Sequence, residues 1–168
     1  GNLACAIASY LPAIRVWASD ITDDCIAITR RNVVHVGVSD RVVVAQGDLF
    51  GGLEGLGLEG SVDAIVCNPP YISRNKLEND CVELLKHEPR VAFDGGPYGI
   101  SIQQRVVKEA LPFLRHVGTL FLEVGLGQES QVKILFDRMK AYENIQLVKN
   151  AAGEVRVVSG RKRIKLIN

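Results

Sequence analysis

The sequence predicts an α/β fold: a mostly parallel sheet covered by helices on both faces and finished by an antiparallel hairpin. Three observations predict it. Short β-branched runs alternate with longer runs of helical period, the arrangement that produces parallel strands joined by crossover helices. Polar side chains able to hold a ligand, Asp20, Asp48, Asn68 and Glu123, fall at or just after the carboxyl ends of those runs, where open parallel sheets bind ligands. The last two β-rich runs are separated by only a few residues, which suits antiparallel pairing.

Taken in order, Leu3 to Tyr10 reads as a helix ended by Pro12, and Ile14 to Ser19 as a strand with Asp20 at its edge. Thr22 is a good N-cap, with Asp23 and Asp24 in the first turn, where the helix dipole favours carboxylates. That helix should run until Gly37. Arg41 to Gln46 is the second strand, and a glycine-rich connection from Gly51 to Gly60 leads to the third, Val62 to Cys67. Apolar residues at 102, 106, 110, 111 and 114 mark one face of a helix from Ile102 to Leu114, with His116 and Gly118 near its exit. Thr119 to Val124 follows as a strand, and the spacing of Val132, Leu135, Phe136 and Met139 predicts another helix. "IQLVKN" and "VRVVSG" form the closing hairpin.

A chain of 168 residues is one domain, able to bury roughly two thirds of its unfolded surface. Twenty basic and 19 acidic side chains leave a net charge of +1, which argues against nucleic acid or an anionic membrane as a partner. The stretch "GRKRIK" (Gly160 to Lys165) concentrates four cations but reads most simply as a solvated terminal strand. "LACAIASYL" is too short to span a membrane and lacks a basic leader. Cys5, Cys25, Cys67 and Cys81 show no zinc-ligand spacing, and the first three lie in apolar segments, so the expectation is buried reduced thiols in the cytoplasm. His35, His87 and His116 have no helical pairing or nearby cysteine, so no metal site is expected. No serine sits in the Gly-x-Ser-x-Gly setting of a nucleophile elbow.

At the strand ends, Asp20 offers two acceptors to paired ribose hydroxyls, although an aspartate before a helix also serves as a cap. Asp48, in "GDLF", could take an adenine amino group with Leu49 or Phe50 beside the ring, or simply shape a turn. Together, and with no lysine-bearing phosphate loop nearby, the two carboxylates outline a nucleoside site for a cofactor with little phosphate.

The most informative stretch is "IVCNPPYI". Two prolines cannot continue a strand, so it must stop at Asn68 in a stiff corner. The Asn68 side-chain oxygen and the Pro69 carbonyl would be two acceptors at fixed separation, suited to a planar NH2 group, with Tyr71 lying against that group and excluding water. Accepting both hydrogens pulls a delocalised amide nitrogen toward a reactive, pyramidal shape.

"NPPY" followed by "EPRVAFDGG" (Glu88 to Gly96), "TLFLEVG" and "VRVVSGRK" resembles the release-factor glutamine methyltransferase family (HemK/PrmC) from Gly1 to about Lys162. The resemblance implies a Rossmann-like class I methyltransferase sheet and methyl transfer from S-adenosylmethionine to the glutamine of the Gly-Gly-Gln loop of a peptide-chain release factor. It assigns Asp20, with Ile21 beside it, to the ribose and Asp48 with Leu49 to the adenine. Asn68, Pro69, Pro70 and Tyr71 take the glutamine amide, Asn68 bordering the cofactor as well. Glu88, Pro89 and Arg90 form the wall near that amide, as structural support first and substrate contacts second.

Two departures shape the expectation. Pro97 and Tyr98 replace the acidic or small residue and aspartate that usually follow the family's "DGG". The first strand and its Asp-x-Gly-x-Gly-x-Gly loop are also lacking, Gly1 standing for the last glycine of that loop. Residues 1–168 are therefore expected to be a catalytic domain truncated at its N-terminus, without the family's upstream helical substrate-recognition domain. The first strand of the sheet would be missing or incomplete, leaving a gap or a place for a second chain, as in a homo-oligomer. The competing readings are a DNA or RNA amino-methyltransferase and a non-catalytic fragment that has lost cofactor binding.

Overall fold

In the computed structural model, which describes residues 1–79, 82–86 and 89–164, the backbone divides into two compact units, Gly1–Leu58 and Glu59–Asn168. The first contains α1 (Asn2–Tyr10), β1 (Val16–Asp20), α2 (Asp23–His35) and β2 (Val42–Gln46). Thr22 caps α2 as expected, its Oγ1 accepting from the Cys25 N–H at 3.2 Å. The helix ends at His35, and Gly37 follows with a φ of 72°. β1 and β2 pair in parallel from Val16 opposite Val42 to Asp20 opposite Gln46. Ala4, Cys5 and Ala8 of α1 and Val33 of α2 are buried together with Val38 and Val42, with Val16, Ala18 and Val44 packed against them. Each fully covered valine there contributes roughly 1.5–3 kcal/mol. Arg41 links the layers by donating to the Ala8 carbonyl at 2.7 Å.

The second unit holds β3 (Val62–Cys67), α3 (Arg74–Asn79), short 3-10 turns at Val82–Lys86 and Arg90–Ala92, α4 (Ser101–Glu109), β4 (Leu114–Glu123), α5 (Glu129–Met139), β5 (Tyr142–Lys149) and β6 (Val155–Lys162). Its sheet has the order β3-β4-β6-β5. β3 and β4 are parallel, whereas β6 runs antiparallel to both β4 and β5. The hairpin expected at the C-terminus is thus present. Val106 of α4, Ala110 just after it, Leu114, Leu120 and Leu122 of β4, Val132 and Phe136 of α5, and Val158 of β6 are all fully buried. The buried Tyr142 ring meets Phe136 edge-on at 4.9 Å, and its hydroxyl donates to the Val107 carbonyl at 2.8 Å.

One boundary differs from the sequence expectation. Leu114 and His116 belong to β4 and not to the preceding helix, which ends at Glu109. Leu114 pairs with Val62 across the sheet, and this long-range pairing overrides a helical spacing that Leu111 and Leu114 satisfy locally. The ladder shifts register between Val62 and Ala64, opposite the stretch of β4 where Val117 takes a φ of 60°.

The described strands form two hydrogen-bonded sheets, in which β1, β2, β3 and β5 each have one edge without a partner strand among the described residues. Among the described residues no helix is long and apolar enough to cross a membrane.

Candidate functional site

In the first unit, Asp20 is the last residue of β1, and its Oδ1 accepts from the Ile21 N–H at 2.8 Å. Ile21 is exposed, and its carbonyl accepts from the Gln46 side chain at 3.3 Å. The loop after β2 is drawn tightly together: a Cβ placed on Gly47 would lie 2.1 Å from the Gly52 nitrogen, so only glycine fits there. Asp48 lies exposed on this loop, and Leu49 takes a left-handed φ of 51°, a strained conformation for a branched side chain. The Ser19 hydroxyl holds it there, donating to the Leu49 carbonyl at 2.7 Å. Phe50 is buried and so unavailable for a ligand ring, which leaves Leu49, partly exposed, as the apolar neighbour of Asp48. Gly1 precedes α1, its carbonyl accepting from the Cys5 N–H at 3.0 Å.

In the second unit β3 stops at Cys67, and the next four residues form the corner. Asn68 is exposed, Pro69 is buried, and Pro70 and Tyr71 are half-buried. Among the described residues no hydrogen bond reaches the Asn68 side chain or the Pro69 carbonyl, so both acceptors are unengaged, the first on an exposed residue and the second on a buried one. Tyr71 is the opposite case. Its carbonyl accepts from Gln128 at 2.8 Å, and its hydroxyl lies 3.4 Å from the Arg156 guanidinium, which also pairs with Glu123 at 3.0 Å. Those bonds, to Glu123 first and Tyr71 second, raise the Arg156 pKa above its ordinary value. Beside the corner, burial pushes the Cys67 thiol up to about 12, which removes it as a thiolate nucleophile.

Arg90 is engaged in ion pairs in this structure. Its guanidinium bonds Glu78 at 2.5 Å and Asp94 at 3.2 Å, and Arg74 reaches the same Asp94 oxygen at 3.2 Å. Asp94 Oδ1 meanwhile accepts from the Gly96 N–H at 2.8 Å. Burial alone would raise the Asp94 pKa, but the Gly96 N–H and the two arginines outweigh it and hold the carboxyl below its usual range. This clamp fastens the "DGG" segment to the chain just after the corner, where Ile72 donates to Phe93 at 3.0 Å and accepts from Gly95 at 2.8 Å. Glu88, Cys81, His87 and Lys165 lie outside the described residues.

Asp94, Gln128 and Arg156 carry no role in the sequence expectation. Asp94 stands in the quoted "DGG" stretch, a usable signal, whereas Gln128 and Arg156 meet the corner only through folding. The three described cations of "GRKRIK" are engaged. Arg161 pairs with Glu143 at 3.0 Å, Lys162 donates to the Leu111 and Leu114 carbonyls at 2.7 and 2.6 Å, and Arg163 bonds the Tyr142 carbonyl at 2.9 Å. Of the cysteines, Cys5 is buried, while Cys25 and Cys67 are only partly covered and all three are free. No cluster of three or more metal-ligating side chains occurs among the described residues.

A family model described as "UPF0020: RMKL-like, methyltransferase domain" matches residues 3–93. The chain belongs to this methyltransferase family. The release factor glutamine methyltransferase of Moorella thermoacetica is 37% identical over 163 residues, 97% of this chain and 56% of its own length. That of Rhodopirellula baltica is 35% identical over 162 residues, 96% of this chain and 54% of its own length. The resemblance read from the sequence is borne out by these relatives, and the chain spans about half their length. A crystal structure of a methyltransferase from Pyrococcus furiosus is similar in fold, with a TM-score of 0.67 at 16% identity over 97% of this chain and 70% of that one.

The cofactor that methyltransferases use can be tested against the residues of the first unit. Among the described residues no hydrogen bond reaches the second oxygen of Asp20, and Asp48 is an exposed residue beside the partly exposed Leu49. This set offers acceptors for hydroxyl and amino hydrogens and an apolar contact, which fits the nucleoside of S-adenosylmethionine and disfavours a phosphate.

Proposed function

We propose that this chain is the catalytic methyltransferase domain, residues 1–168, of a cytoplasmic enzyme that methylates the side-chain amide of the glutamine in the Gly-Gly-Gln loop of a peptide-chain release factor. The observation that carries this reading is the unengaged pair of acceptors at the exposed Asn68 and the buried Pro69, beside a tyrosine held at both its carbonyl and its hydroxyl. The release-factor substrate is supported by the relatives that share the sequence at 35–37% identity.

S-adenosylmethionine, when bound, supplies an electrophilic methyl group. The Asp20 carboxylate accepts from the ribose hydroxyls, and Asp48 accepts from the adenine amino group with Leu49 against the ring. Asn68 Oδ1 and the Pro69 carbonyl accept the two hydrogens of the substrate amide, which withdraws its nitrogen lone pair from conjugation. Each such bond contributes on the order of 1 kcal/mol, and more where it strengthens in the transition state. The Tyr71 ring covers the planar amide and keeps water away. The surplus proton passes to solvent after transfer, so no strong base is required.

The test is incubation of the chain with labelled S-adenosylmethionine and, in separate reactions, release factor and a double-stranded oligonucleotide. Label on the loop glutamine, read by mass spectrometry of the digested factor, is the expected result. Label on the oligonucleotide instead would replace this reading by a nucleic-acid amino-methyltransferase. Absence of both transfer and cofactor binding would mark a non-catalytic fragment.

A further inference from the structure

One side chain in the second unit has its whole hydrogen-bonding capacity engaged around the corner. Gln128 Nε2 donates to the Tyr71 carbonyl at 2.8 Å and to the Gly99 carbonyl at 3.2 Å. Its Oε1 accepts from the Gly125 N–H at 3.0 Å and from Gln103 Nε2 at 3.4 Å. A primary amide has two hydrogens and two lone pairs, so all four positions are filled. The groups it joins come from four separate places: the corner after β3, the loop before α4, α4 itself, and the exit of β4.

The surroundings leave this amide little freedom. Gln103 is fully buried, and among the described residues its own Oε1 has no partner, so its bond to Gln128 is the contact that holds this amide. A Cβ on Gly125 would come within 2.8 Å of Gln128 Oε1 and 2.9 Å of Tyr71 Cδ2, so the glycine admits both groups to the same spot. Among the described residues no hydrogen bond holds Asn68 or Pro69 directly, so the corner is fixed at its two ends, by Cys67 paired with Leu122 and by Tyr71 bonded to Gln128.

We propose that Gln128 is the positioning residue of the amide-binding corner: its carboxamide sets where Tyr71, and through it the Asn68 and Pro69 acceptors, stand relative to the end of β4. In this reading it acts on the reacting groups only through Tyr71. The role in transfer rests on the proposed function, whereas the placement of the corner does not.

Gln128→Met removes all four bonds. Gln128→Glu keeps the acceptor for Gly125 but faces a carboxylate oxygen toward the Tyr71 and Gly99 carbonyls, and it serves as the second variant if the first fails to fold. NMR of the free chain should show the Asn68 and Tyr71 backbone resonances shifted in both variants, with those of β5 unmoved. Exchange of the Gly125 N–H should accelerate at least about tenfold in Gln128→Met and stay near the parent rate in Gln128→Glu. With release factor, kcat should fall on the order of a hundredfold while KM for the factor changes less than about twofold. Unmoved Asn68 and Tyr71 resonances in a folded variant would overturn the inference, as would moved resonances with an unchanged kcat. The NMR result decides it even if the parent transfers no methyl group, an outcome that would defeat only the proposed function.

Discussion

The guanidinium of Arg156 in β6 uses one nitrogen to reach both Glu123 at 3.0 Å and the Tyr71 hydroxyl at 3.4 Å, so the ring beside the exposed Asn68 is tied to the centre of the sheet. Replacing Arg156 by Met should free the ring and lower methyl transfer about tenfold, because a misdirected contact costs far more in rate than in stability. The Arg156–Glu123 pair is partly exposed, and its loss should change unfolding free energy by about 1 kcal/mol or less. Arg156→Lys should restore the rate only in part, since an ammonium on a flexible stem is not held in place as the planar guanidinium is. Steady-state kinetics set beside urea unfolding would test this; equal losses in both would refute it.

Asn68 is exposed and bonds to nothing among the described residues, so Asn68→Ala should leave stability within about 0.5 kcal/mol of the parent. Transfer should nevertheless fall on the order of 10² to 10³, the usual cost of losing one acceptor or donor aimed at the reacting group. A thermal melt and a single-turnover assay on the same preparation separate the two. Retained turnover would remove the corner from the mechanism.

Asp94 has a carboxyl held below its ordinary pKa, and the sign of the linkage follows from that. Its contribution to holding the "DGG" segment is fully present above the unfolded value, about 3.9, and is lost as pH falls through the lower folded value. Hydrogen exchange at the Ile72 and Gly95 amides should therefore stay slow down to about pH 4 and accelerate only below it. In Asp94→Asn the acceleration should already be present at neutral pH. A parent chain that loosens near neutral pH would contradict the clamp.

Leu49 is held at a positive φ by Ser19, and glycine adopts that conformation freely. Leu49→Gly should raise the unfolding free energy by up to about 1 kcal/mol. The same change removes the apolar neighbour of Asp48 and should weaken adenosine binding about tenfold, as fits one lost side-chain contact. Calorimetric titration with S-adenosylmethionine alongside chemical unfolding checks both halves. A destabilised variant of unchanged affinity would exclude the role given to the loop.

Much of the fold is legible in local chemistry. The Thr22 cap and the stop after Cys67 need only neighbours in sequence, and both stand where the residues predict. Leu114 is the counter-example: its spacing fits a helix, but Val62, fifty-two positions away in the chain, recruits it into the sheet. The site divides in the same way. Asn68, Pro69 and Tyr71 announce themselves through two adjacent prolines, whereas Gln128 and Arg156 bond Tyr71 across 57 and 85 residues and leave no local trace. Arg90 was legible as a residue near the corner, but its partners Glu78 and Asp94 are visible only once the intervening turns fold back.

The unpaired flank of β3 also bears on handling the polypeptide. Val62–Cys67 contains no proline and one charge, Asp63, and its outward row of amides and carbonyls is the kind of template that extended chains add to. Storage at high concentration will therefore favour backbone-to-backbone growth of oligomers, and a lysine placed on that flank will extend shelf life more than any trimming of surface leucines.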